Sequence, residues 1–194
     1  FSLAANHNNS NVQYFLGLIY YIKKYHSQDI SKSIHYFTLV ANLNHIEALF
    51  YLGEIFSSKD NNFYDINKAV NYYTLASNQN HEDAQCSLGY IYLLTEYNLY
   101  NINKAIHFFN LASNQNNLNA QINLVLIYYS GKHISQDIKK AIHYLTLAAN
   151  QNHSYSQFFL GSLYFCGDYY LQDINKAIHY LTLSANQDNS EAQF

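Results

Sequence analysis

The sequence predicts an all-α, right-handed α/α solenoid of about five helix–turn–helix repeats, with a partial repeat at each end. Two observations predict it. One segment, Asp137–Asn152 (DIKKAIHYLTLAANQN), is written five times, with copies beginning at Asp29, Asp65, Asn101, Asp137 and Asp173, always 36 residues apart. A fixed period of this length marks a stacked array rather than separate globular domains, so residues 1–194 read as a single solenoid domain. In addition, each period holds two stretches with apolar residues at three- and four-residue steps. No stretch shows sustained two-residue alternation, so no sheet is expected.

The elements follow in order. In the period starting at Ile46, Ala48, Leu52, Ile55 and Phe56 mark a first helix. Gly53, beside Leu52, leaves room for another helix to come close. A polar connector, Lys59-Asp60-Asn61-Asn62, follows. Asp65 is a good N-cap for a second helix, whose stripe is Ala69, Tyr72, Tyr73 and Ala76. That helix should stop at a left-handed residue, for which Asn is next best to Gly. The chain offers Asn8, Asn44, Asn80, Asn116, Asn152 and then Asp188 there. First helices are expected at 11–23, 46–58, 82–95, 118–130 and 154–166. Second helices are expected at 30–42, 66–78, 102–114, 138–150 and 174–186. The chain opens on part of a second helix, since Phe1–Asn6 matches Phe37–Asn42, and ends inside a first helix at Phe194. It reads as an excerpt of a longer protein.

Composition narrows the function. Net charge is -3, only 12% of residues are charged, and there is no Arg. Nucleic-acid binding needs clustered cations, so it is not expected. No membrane-spanning segment or leader is visible. Cys86 and Cys166 fall in different registers, too far apart to pair, and two unpaired thiols suit a reducing, cytoplasmic compartment. The sequence contains no phosphate loop, nucleophile elbow or carboxylate pair. A non-enzyme without cofactor is expected.

The motif A-x-x-x-L-G-x-x-Y stands at Ala84, Leu88, Gly89 and Tyr92. The motif D-x-x-K-A-x-x-Y-x-x-x-A-A stands at Asp137, Lys140, Ala141, Tyr144, Ala148 and Ala149. Together they resemble the Sel-one-like repeat, a relative of the tetratricopeptide repeat, and the resemblance spans the whole chain. Val125 departs from the Gly, Val12 and Ser156 depart from the first Ala, and Asn stands for Gly between repeats. The resemblance implies a fragment of an adaptor or scaffold that holds partner proteins. Some bacterial relatives with regularly paired cysteines have been linked with β-lactam hydrolysis. Cys86 and Cys166 do not reproduce that pairing, so a hydrolase ranks last.

By the tetratricopeptide pattern that the resemblance implies, first helices line a concave face through three registers. Tyr14, Phe50, Cys86, Ile122 and Phe158 form one; Leu18, Glu54, Tyr90, Leu126 and Ser162 the next; Tyr21, Ser57, Leu93, Tyr129 and Phe165 the third. These are apolar for a solvated wall and point to a peptide or helix as the occupant. The apolar members, Tyr14, Leu18, Tyr21, Phe50, Tyr90, Leu93, Ile122, Leu126, Tyr129, Phe158 and Phe165, are the candidate partner-binding residues. The alternative is a structural spacer, or a regulatory arm of a parent enzyme such as a kinase. Burial of these residues by their own neighbours would favour the spacer.

Two other series have plainer readings. His35, His107, His143 and His179 share a register beside the apolar stripe and read as an outer polar ladder, not a metal site. His45, His81 and His153 alternate with Asn9, Asn117 and Asn189 before first helices, as capping residues would. Lys32, Lys68, Lys104, Lys140 and Lys176 follow each cap by three residues, where a cation opposes the helix dipole. Each ammonium is expected on the helix-end carbonyls of the preceding repeat.

Overall fold

The computed structural model describes residues 9–22, 29–94, 98–167 and 171–187. Among these residues there are ten helices and no strand: α1 Ser10–Tyr21, α2 Ile30–Ala41, α3 Ile46–Ser57, α4 Ile66–Ser77, α5 Glu82–Leu93, α6 Ile102–Ser113, α7 Leu118–Ser130, α8 Ile138–Asn150, α9 Ser154–Cys166 and α10 Ile174–Ala185. This is the all-α repeat fold that the period predicts, with helix ends within two residues of expectation. The partial helices expected at the two ends, and Asn8, Asp188 and Asn189, lie outside the described residues. The chain divides into two compact units, Phe1–Asn101 and Ile102–Phe194. In the first, α1 to α5 pack each on the next; in the second, α6 to α10 do so.

Where a second helix ends, the backbone turns left-handed on asparagine, at Asn44 (φ 61°), Asn80 (64°), Asn116 (64°) and Asn152 (59°). The Asn44 N–H donates to the Ala41 carbonyl (2.9 Å) and the His45 N–H to that of Val40 (3.2 Å), the paired bonds of a Schellman turn. The residue after the asparagine then caps the next helix. Nδ1 of His45, His81 and His153 accepts from the backbone N–H three residues on, at 3.3, 3.2 and 3.3 Å. Asn117 does so with its Oδ1 at 3.0 Å. The capping role expected of this series is therefore found.

Each hairpin is closed at its other end. The N–H of Asp65 donates to the Phe56 carbonyl (2.8 Å), and Asp29, Asp137 and Asp173 reach Tyr20, Tyr128 and Tyr164 in the same way. Their side chains cap the second helix by accepting from the N–H of Lys32, Lys68, Lys140 and Lys176. That bonding, and the neighbouring lysine, hold the Asp29, Asp137 and Asp173 carboxyls below the usual carboxylate range.

These lysines correct an expectation. They do not reach the preceding repeat; each pairs with its own cap. Lys32, Lys68, Lys140 and Lys176 lie 3.1–3.6 Å from the cap carboxylate. Each ammonium also sits 4.9–5.2 Å over a first-helix ring, that of Tyr20, Phe56, Tyr128 or Tyr164. Those rings stack on second-helix rings, as in Phe56–Tyr72 (5.6 Å, 8°) and Tyr128–Tyr144 (5.9 Å, 7°). A carboxylate and a ring face offset the unfavourable dipole locally.

Close helix approach is carried by a small residue facing a ring. A Cβ on Gly53 would lie 2.5 Å from two carbons of the fully buried Tyr73 ring. Two hairpins along, in the second unit, Val125 replaces the glycine and Leu145 replaces the ring, and both are buried in one cluster. Volume is exchanged within the pair. Gly53→Ala should therefore cost about 1–3 kcal/mol of stability, and adding Tyr73→Leu should recover part of it, read as coupling in a double-mutant cycle. Lys68→Gln should cost about 0.5–1 kcal/mol in chemical denaturation, and much less when Phe56 is already Leu.

Candidate functional site

Helical spacing brings the expected registers to one side of the first helices, but neighbours cover them unequally. In the second unit, Ile122, Leu126 and Tyr129 of α7 face Tyr155 and Phe159 of α9. Tyr129 meets Phe159 edge-on at 5.1 Å. Between them opens a cavity of about 270 Å³, floored by Val125 and Leu145 and edged by His153 and Ser156. Its lining is almost wholly apolar, and neither α7 nor α9 carries a charged residue. Leu126 is 58% exposed, Tyr129 36% and Phe165 56%. Phe158 is half-buried and meets Tyr155 at 6.4 Å.

In the first unit the capping residues act as lids. His45 stacks on Tyr14 at 4.5 Å and His81 on Phe50 at 4.6 Å. Both aromatic rings are half-buried, as are Leu18, Tyr21 and Leu93, while Tyr90 is 40% exposed. Burial, then the neighbouring Tyr51, pushes the Tyr14 hydroxyl up to about 12. Cys86, in the same register, is buried; burial, then Asp83, pushes its thiol up to about 12. It is a protonated core thiol at neutral pH, without the thiolate character of a nucleophile. Cys86 and Cys166 are both free.

Near the other end of these helices, Tyr21 meets Tyr51 edge-on at 5.3 Å. Beside it lies a cavity of about 600 Å³ that Glu54 and Asp60 share with isoleucines. Sequence reasoning missed Tyr51, Tyr155 and Phe159 as surface residues. Phe15, Tyr51 and Phe159 share a register with Ser87 and Asn123, so an aromatic signal was present but interrupted.

Among the described residues, no three His, Cys, Asp or Glu side chains converge to hold a metal. His35, His107, His143 and His179 are exposed, each edge-on to the following ring at 5.0–5.3 Å. No described helix is long and apolar enough to cross a membrane.

Comparison with known proteins agrees with this geometry. The Sel1 repeat model matches residues 10–45, 46–81, 82–117, 118–153 and 154–189. The structure resembles a Sel1 repeat protein from Oxalobacter formigenes (24% identity, 95% of this chain and 76% of that one, TM-score 0.77). It also resembles a protective antigen with an SLR fold from uropathogenic Escherichia coli (22%, 99% and 41%, TM-score 0.76). A Sel1 repeat protein from Klebsiella pneumoniae is similar as well (20%, 97% and 92%, TM-score 0.58). No curated protein matches the sequence. Sel1 repeats generally serve as non-catalytic scaffolds for protein partners. Matched across five successive repeats and folded accordingly, the chain belongs to the Sel1 repeat family.

Proposed function

We propose that this chain is a non-catalytic adaptor that takes an apolar segment of a partner protein, a peptide or a helix, onto its first helices. The observation that carries the reading is the uncharged face of the second unit. Leu126, Tyr129 and Phe165 stand out from it beside a cavity with apolar walls. Fully burying one Leu or Phe side chain contributes roughly 1.5–3 kcal/mol, so a single inserted residue supplies about ten- to a hundredfold in affinity. Charged partner residues gain nothing there, which confers selectivity. A spacer has no use for such exposure. The exposed free thiol of Cys166 suits a reducing, cytoplasmic setting.

The test is affinity capture with quantitative mass spectrometry from the source cell. The bait is the full-length protein, intact and as the triple variant Leu126→Ser, Tyr129→Ser, Phe165→Ser. Helical circular dichroism should match in the two baits. At least one abundant partner should fall tenfold or more with the variant. An unchanged partner list would reject the apolar face as the binding surface and favour the spacer.

A further inference from the structure

One cavity occurs in both units with different chemistry. In the first it is walled by Tyr21, Ile30 and Ile55, with Glu54 and Ser58 on α3 and its end, and holds about 600 Å³. Three periods on, Tyr129, Ile138 and Leu163 wall a cavity of about 460 Å³, and Ser162 and Cys166 stand where Glu54 and Ser58 stood. The frame is the same; the carboxylate belongs to the first unit.

Glu54 is held in place. The Tyr73 hydroxyl donates to its Oε1 at 2.6 Å and lies 3.1 Å from Ser57 Oγ. Burial, then the charge of Glu54, pushes the Tyr73 hydroxyl far up, so it remains a donor. The pair is specific to this hairpin. Position 54 is Leu18, Tyr90, Leu126 and Ser162 in the other periods, and position 73 is Phe37, Phe109, Leu145 and Leu181. Both polar groups stand in the same repeat. Asp60 adds a second carboxylate at the rim. A half-buried carboxylate retains several lone pairs to offer a donor, and its attraction for a cation exceeds that of an exposed one.

We propose that this cavity takes the basic side chain of a bound protein segment, an arginine or lysine with apolar neighbours. The ammonium or guanidinium would meet Glu54, the aliphatic stem would lie on Ile30 and Ile55, and the Tyr21 ring would flank it. Carboxylate, ring and apolar floor together match what a guanidinium uses. This rests on the adaptor reading and gives the partner a chemical signature. Among the described residues, the cavity with Ser162 is lined by no charged side chain.

The experiment is fluorescence anisotropy on the full-length protein. The probes are a labelled Ala-Leu-Arg-Leu-Ala amide and its citrulline counterpart, which keeps the shape and removes the charge. The intact protein should prefer the arginine peptide about tenfold, less as salt rises. Glu54→Gln keeps an acceptor for Tyr73, so the protein should stay folded, and the preference should vanish. Equal affinity for the two peptides, no binding of either at millimolar concentration, or a preference that survives Glu54→Gln would each overturn the proposal. The triple variant of the second unit separates the two readings. If it loses its partner while the peptides are not distinguished, the basic-residue cavity falls and the adaptor stands. If arginine preference appears and no partner depends on the second unit, the apolar face falls and the cavity stands.

Discussion

The structure depends most on a turn three residues long. At Asn44, Asn80, Asn116 and Asn152 the chain enters the left-handed region, which costs an ordinary residue roughly 1–2 kcal/mol and asparagine less. That conformation directs two successive N–H groups at the closing carbonyls of the second helix. The very next residue begins a new helix and caps it. With so few residues between two helices, little freedom remains in how one hairpin meets the next. The ring lids on Tyr14 and Phe50 follow from the same constraint, since the cap at His45 or His81 can only lie over the preceding first helix.

Much of this was legible in the sequence because the signals are local. Asp65 is followed three residues later by the N–H that it caps, and Asn80 stands where a left-handed residue is needed. Side chain and backbone partner lie in one short stretch, so helix ends came out within two residues. The lysines show where local reading stops. Lys68 is visible three places after Asp65, but the Phe56 ring beneath it belongs to another helix. Only the crossing of the two helices brings them together, and that crossing depends on Gly53 lying against the Tyr73 ring.

The candidate surface divides in the same way. Period and spacing put Tyr14, Phe50, Leu126, Tyr129 and Phe165 on one side of the first helices. They do not say what lies over each. Tyr14 and Phe50 are half-covered by imidazoles from the following cap, Cys86 is buried, and Leu126 is open. Tyr155 and Phe159 were missed because their registers elsewhere carry Glu47, Asp83, Asn119, Ser87 or Asn123. A residue that lines a cavity in one hairpin is solvated or replaced in its neighbours, so an average over repeats conceals it.

That variation has a physical basis. In an array of repeats each hairpin interacts mainly with the next, so stability is close to a sum of local terms. A change that is compensated inside one hairpin leaves the others unaffected. Val125 with Leu145 exchanges volume across a helix contact; Glu54 with Tyr73 exchanges an apolar contact for a hydrogen-bonded one. A lone Glu54 would be a half-buried charge that lacks the Tyr73 donor, and a lone Tyr73 hydroxyl in that packed site would retain only serine hydroxyls, those of Ser57 and Ser87. Together they cost little, and they leave a negative oxygen at the edge of a cavity whose frame is otherwise repeated. Each hairpin can therefore carry its own binding chemistry on a constant backbone, because the caps and turns that set the geometry recur while the residues at the outward-facing registers vary.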